Sequence, residues 1–129
     1  MLNLDTHIVV AVLSGDLSDS EHALVSREPL AISAIVLWEL AKLVQLKRLK
    51  LDLDSREFRQ FLRQVTIVPI TLEIARRSTQ LDLQSDPADE IIAATSFVEQ
   101  IPLLTRDRKL LKSRSIPFAL TASLSIRPQ

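Results

Sequence analysis

The chain of 129 residues carries sixteen acidic residues, and four of them stand where a solvated surface acid does not belong. Asp5 closes a short apolar run, and a second apolar run over residues 8–13 starts soon after it. Glu39 is four positions from both Ile35 and Leu43. At about 100° per residue this puts it on an otherwise apolar helical flank that Val36 and Leu40 extend. Asp89 comes at the third position of a helix opened by Asp86-Pro87, on the face of Ile92 and Ala93. Asp107 follows Leu103-Leu104-Thr105 after one residue and so repeats the placement of Asp5.

Each acid also has an ordinary explanation. Asp5, Asp86 and Asp107 can cap the helices that follow them, and Asp89 can be a first-turn acid favoured by the helix dipole. Glu39 can snorkel or pair with Lys42. Glu90 points elsewhere and reads as solvated. Jointly the four are harder to dismiss, because two lie at strand ends and two on helix segments that begin near such ends. Two carboxylates about 4 Å apart repel by ~4 kcal/mol at an effective dielectric of ~20, so a convergent group is unstable when empty. A divalent cation reverses that sign. All-oxygen ligation selects Mg²⁺ or Mn²⁺ over zinc. Such ions serve phosphate chemistry, where they generate hydroxide and stabilise in-line displacement at phosphorus.

The elements that must hold these acids follow from the patterning. Residues before Asp5 are too few for a helix and read as a strand, so Asp5 lies at a strand's carboxyl end, where ligands collect in parallel α/β sheets. A helix over residues 8–13 ends at Ser14-Gly15-Asp16. Ser18 and Glu21 have capping-box spacing for a second helix, to about Arg27. Residues 30–33 read as the second strand, 34–46 as a long helix containing the sole tryptophan, Trp38, and 47–52 as a basic connector. Asp54 and Glu57 again have capping-box spacing, ahead of Phe58, Phe61, Leu62 and Val65 on one helical face. Residues 66–70 read as the third strand, at an edge or ending at Pro69. Thr71 caps a helix burying Ile74, Ala75, Ser78 and Leu81. Asp86-Pro87 opens a helix to about Gln100, residues 101–105 form a fourth strand, 107–113 a short helix and 116–120 a possible fifth strand. The tail from about 121 reads as loosely held. The expected fold is a three-layer α/β/α sandwich around a mostly parallel four- to five-stranded sheet, with residues 1–129 as one domain.

Composition narrows the function. A net charge of zero gives no global attraction for nucleic acid or an anionic membrane, so an RNA ligand needs a local patch or metal ions. Without cysteine there are no disulfides or thiolate metal sites. A single glycine excludes Gly-rich phosphate loops. No apolar run approaches the ~20 residues of a membrane span, and the expected location is the cytoplasm.

The segments LNLDTHIVVAVL, ISAIVLWELAKLVQLKRLKLD, SDPADEIIAATS and IPLLTRDRKLL, in this order, resemble those of PIN-domain nucleases, in particular VapC-type toxins of toxin–antitoxin pairs. The resemblance implies a metal-dependent endoribonuclease, hydrolysing RNA with metal-activated water held by Asp5, Glu39, Asp89 and Asp107. By position, Asp5 and Asp89 would be the closest Mg²⁺ (or Mn²⁺) ligands, and Glu39 and Asp107 would hold metal-bound water or a second ion. Thr6 and Thr105 match hydroxyl positions near the site, Ser33 would orient neighbours, and Asp86 matches a residue beside the site that capping explains sufficiently. Glu90 departs from the arginine many relatives carry. The family also implies a homodimer and a cognate antitoxin across the active-site groove, to which Leu37, Trp38, Phe58, Phe61 and Leu62 can contribute unless they are ordinary core. Lys47, Arg48, Lys50, Arg56, Arg59 and Arg63 are either a solvated face or an RNA-backbone patch.

Two rival readings have discriminators. A phosphotransfer or phosphatase-type α/β domain needs a further early acid pair or Asp-x-Asp, which Asp5-Thr6-His7 does not supply. A non-catalytic PIN-like interaction module would have lost acids that are all present here. His7 and His22 have no metal-binding spacing and are expected to face solvent or cap turns.

Overall fold

Leu2 and Leu4 are buried on one side of the backbone and Asn3 on the other, which only a strand covered on both faces allows. This strand, β1 (Leu2–Leu4), is central in a computed structural model that describes residues 1–119. Helix α1 (Thr6–Ser14) follows at once and ends on Gly15, whose φ of 72° is the left-handed turn glycine adopts without strain. Helix α2 (Asp19–Arg27) carries the full Ser18/Glu21 capping box. Strand β2 (Leu30–Ser33) then runs parallel to β1 and leads directly into α3 (Ala34–Gln45).

Helix α4 (Arg56–Gln64) is capped by Ser55, whose hydroxyl accepts from the Phe58 amide, and not by Asp54. Phe58 and Phe61 are buried in the core, so neither is available for a groove or dimer face, and Leu62 packs against the same cluster. Strand β3 (Val65–Val68) starts one residue before the expected segment and stops before Pro69, which has no N–H for the ladder. In α5 (Leu72–Ser78), capped by Thr71, Ile74 is buried while Ala75 and Ser78 are only partly so; the helix stops at Ser78, so Leu81, also half-buried, lies beyond it. Helix α6 (Pro87–Glu99) packs against α5, α3 and β2. Strand β4 (Leu103–Leu104) is shorter than expected, and α7 (Arg108–Leu111) closes the described helices.

The four strands are all parallel, in the order β3-β2-β1-β4. A single parallel bridge between Leu103 and Phe118 begins a fifth position beside β4. Leu120 and the tail expected to be loosely held lie outside the described residues. Burial of β1 and β2 on both faces makes this an α/β sandwich with one apolar cluster running from Leu2 to Ala119. The strand order places β2 and β3 on one side of β1 and β4 on the other. The crevice at the carboxyl ends of β1 and β4 is therefore a topological switch point, where open α/β sheets bind ligands. No helix among the described residues is long and apolar enough to cross a membrane.

Candidate active site

Asp5 lies at that switch point and is only 4% exposed. Its Oδ1 accepts the Ile8 amide at 2.9 Å, capping α1, and its Oδ2 accepts the Thr105 hydroxyl from the end of β4. Capping and site geometry are thus two uses of one carboxylate. The Thr105 oxygen in turn accepts the Asp107 amide at 3.0 Å, which ties the start of α7 to Asp5. Asp107 itself caps α7 through Oδ1, 2.8 Å from the Lys109 nitrogen.

Glu39 reaches back from α3 to the start of α1, where the buried Thr6 hydroxyl donates to its Oε1. Lys42 is not its partner: the ammonium meets Gln45 at 3.0 Å and the Trp38 ring instead. Ser33 is fully buried and caps α3 through the Ile35 amide, setting the helix that carries Glu39, but it bonds to none of the four acids. Asp89, in the first turn of α6, accepts the Ser85 hydroxyl at 2.9 Å. Asp86 occupies the cap position but its side chain makes no cap hydrogen bond, so capping does not account for it. Its neighbour Glu90 takes up that end of the helix instead, accepting the Ser85 amide at 3.1 Å. It is half-buried and not the solvated acid expected.

Burial pushes the carboxyls of Asp5, Glu39 and Asp89 above the ordinary range, more than their hydroxyl and amide partners pull them down. The acids also act on one another. The Asp89 charge raises Asp5 and Glu39, Asp5 raises Glu39, and Asp107 and Asp86 raise Asp89. Among the described residues no Lys or Arg forms an ion pair with any of the four. Opposing charge reaches the acids from the exposed His7, beside Asp5, Glu39 and Asp89, and from Arg106, which the Asp5 charge also reaches. His22 is also exposed, beside Ser26.

Oxygen donors that repel one another, with no Lys or Arg ion pair among the described residues, are a donor set that suits a hard divalent ion. Among the described residues no three His, Cys, Asp or Glu side chains form a ready-made metal cage.

The basic residues Lys47, Arg48, Lys50, Arg56, Arg59 and Arg63 are all exposed, and no contact joins them to the acids. Two features escaped sequence reasoning. Arg106, between Thr105 and Asp107, grips Glu21 with two bonds of 2.9 and 2.7 Å and the Asp16 carbonyl with a third. This fixes the loop after β4 against α2, and it holds the Glu21 carboxyl down at about 2. Asn3, fully buried in β1, donates to the Ile92 carbonyl at 3.2 Å and the Ser96 hydroxyl at 2.9 Å, pinning α6 to the strand that ends in Asp5. The pairs are 85 or more residues apart, and no local spacing signals them.

Comparison with known proteins places this arrangement. The PIN domain family model matches residues 3–114. The chain is 35% identical over 97 residues to ribonuclease VapC22 of Mycobacterium tuberculosis (strain ATCC 25618 / H37Rv), covering 73% of this chain and 72% of that protein. It is similar in structure to VapBC2 from Rickettsia felis bound to a DNA fragment from its promoter (TM-score 0.70, 21% identity, 92% and 98% of the two chains). A toxin–antitoxin complex from Klebsiella pneumoniae gives a TM-score of 0.66 at 27% identity, over 84% of this chain and 88% of that one. With nearly the whole described chain inside one family model, and acids placed at its sheet's switch point, the chain belongs to the PIN-domain family, in its VapC-type branch.

Proposed function

We propose that this chain is a metal-dependent endoribonuclease and the toxin of a toxin–antitoxin pair, with residues 1–129 as one nuclease unit. The observation that carries the reading is the buried Asp5, in electrostatic reach of Glu39 and Asp89 and with no Lys or Arg ion pair among the described residues. Asp5 and Asp89 would hold Mg²⁺ (or Mn²⁺) most directly, with Glu39 and Asp107 in support. The ion's chemistry is to make water a nucleophile at neutral pH and to stabilise charge at phosphorus. The protein's part is positioning: Thr105 orients Asp5, Thr6 orients Glu39, Ser85 orients Asp89, and Ser33 fixes α3. Asp86 adds negative charge beside Asp89.

RNA as substrate is supported by VapC22's being a ribonuclease, and an antitoxin partner by the toxin–antitoxin complexes that share the fold. Lys47, Arg48, Lys50, Arg56, Arg59 and Arg63 would attract the RNA backbone. We further assign the protein to the cytoplasm as a homodimer. A phosphotransfer role is disfavoured because Asp5-Thr6-His7 supplies neither a further early acid pair nor Asp-x-Asp. The test is cleavage of a fluorogenic RNA by purified protein in Mg²⁺ or Mn²⁺. Cleavage should fall at least ~100-fold in Asp5→Asn and stop in EDTA. Cleavage indifferent to both contradicts the reading.

A further inference from the structure

We propose that Arg106 is a positioning residue of the acidic site: its guanidinium, held by Glu21 and the Asp16 carbonyl, fixes where Asp5 and Asp107 stand. The inference rests on those two acids belonging to the proposed nuclease site. Arg106 is the middle of a three-residue link, Thr105-Arg106-Asp107, between β4 and α7. Both of its neighbours work at the site. The Thr105 hydroxyl donates to Asp5 Oδ2, and its oxygen accepts the Asp107 amide at 3.0 Å. Whatever moves Arg106 therefore moves the partner of one acid and the backbone of another.

The elements on either side of the link are short, β4 with two residues of ladder and α7 with four residues in all. Arg106 adds three bonds to segments far along the chain. Its Nε donates to Glu21 Oε2 at 2.9 Å, and its Nη2 donates to Glu21 Oε1 at 2.7 Å and to the Asp16 carbonyl at 2.9 Å. The anchor is itself fixed. Glu21 is 9% exposed, and its Oε1 also accepts the Ser18 amide at 2.9 Å in the capping box of α2. The Asp16 amide donates to the Ala11 carbonyl at 2.8 Å, at the end of α1. Because Asp5 caps the start of α1, the contacts close a ring from Asp5 through α1, Asp16, Arg106 and Thr105 back to Asp5. A closed ring constrains relative position, which a lone pair does not. A point charge would neutralise Glu21 equally well, whereas a planar guanidinium with two parallel bonds also sets orientation. Orientation matters at a reacting centre, where a displacement of about 1 Å costs on the order of 100-fold in rate.

The experiment compares full-length wild type, Arg106→Gln, Arg106→Lys and Glu21→Gln well below their melting temperatures. In metal-free protein, loss of the grip should speed deuterium exchange of the Asp107 amide about 10-fold or more, read by NMR. Calorimetric titration should show Mn²⁺ affinity lowered about 10- to 100-fold in Arg106→Gln, with kcat for RNA cleavage reduced and KM little changed. Glu21→Gln should match it, and the double variant should be no worse than either single one, because both changes break one grip. Arg106→Lys keeps the charge and should recover most of the melting temperature but not the Mn²⁺ affinity. As a control, Phe58→Leu, in the core where α4 meets β3 at the edge of the sheet, should melt lower with Mn²⁺ affinity unchanged. An Arg106→Gln protein that melts lower, yet exchanges Asp107 and binds Mn²⁺ as the wild type does, overturns the proposal, since the grip then serves stability alone. If Arg106→Gln does not fold, Arg106→Lys decides, and wild-type exchange with wild-type affinity in that variant overturns it equally. A wild type that neither binds Mn²⁺ nor cleaves RNA defeats the nuclease reading, and Asp107 exchange in the metal-free proteins then judges this proposal by itself.

Discussion

At the scale of single residues, the acids of the site are held against their own preference. Burial and mutual repulsion favour the protonated forms of Asp5, Glu39 and Asp89, so each costs the folded state free energy at neutral pH. A raised folded pKa means that the contribution to stability is full below the unfolded value, near 4, and disappears as pH rises through the folded value. The metal-free protein should therefore lose less stability on mild acidification than its Asp5→Asn variant does. At neutral pH Asp5→Asn should melt higher than wild type, by a few degrees. Asparagine still caps α1 through its oxygen but brings no charge. Calorimetry in EDTA over pH 4 to 7 checks both, and a variant that melts lower throughout contradicts the assignment.

Elements are joined by contacts of the opposite kind, satisfied and stabilising. The Arg106–Glu21 grip connects α2 to the loop bearing Thr105 and Asp107, and its two-bond geometry lifts it above an ordinary surface pair. Glu21→Gln should cost about 2 kcal/mol in urea unfolding at pH 7. Because the Glu21 carboxyl is depressed, this contribution is present above about 4.5 and fades as pH falls toward about 2. The gap between variant and wild type should close over that window. Asn3 pins α6 to β1 with two bonds while its Oδ1 has no partner among the described residues. Asn3→Ala should cost roughly 2–3 kcal/mol through lost bonds and a cavity. It should also lower kcat more than KM, because Asp89 rides on α6. A variant with wild-type kcat would show that the pin serves stability alone.

These elements also show what could be read beforehand. Asp5 was legible because two apolar runs flank it, and Glu39 because it interrupts an apolar helical stripe. Local rules locate most helices to within about a residue or two, but carry α5 on to Leu81, three residues past its end at Ser78, and favour Asp54 over Ser55, since both fit a cap at that spacing. Asp86-Pro87 predicts a side-chain cap, whereas Glu90 and Ser85 share that end of α6. Phe58 and Phe61 were placed correctly on one face, but which surface that face meets depends on the sheet. Arg106 with Glu21, and Asn3 with Ser96, are contacts of tertiary structure, and nothing in the neighbouring residues announces them.

At the scale of the whole molecule, a parallel sheet whose strand order turns at β1 carries Asp5 at its switch point, and Asp5, Glu39 and Asp89 lie within reach of one another's charge, with Asp107 reaching Asp89. Fold and candidate chemistry are connected there, because the burial that forms the core also desolvates the carboxylates. A ligand that binds only the folded state stabilises it by mass action. Saturating Mn²⁺ should raise the melting temperature of the wild type and leave that of Asp5→Asn nearly unmoved. The direct test is calorimetric titration of Mn²⁺ into the purified chain and into Asp5→Asn and Asp89→Asn. We predict saturable binding to the wild type, abolished or weakened at least ~10-fold in each variant. Equal binding by all three proteins, or none by the wild type, would contradict a cation site built from these acids.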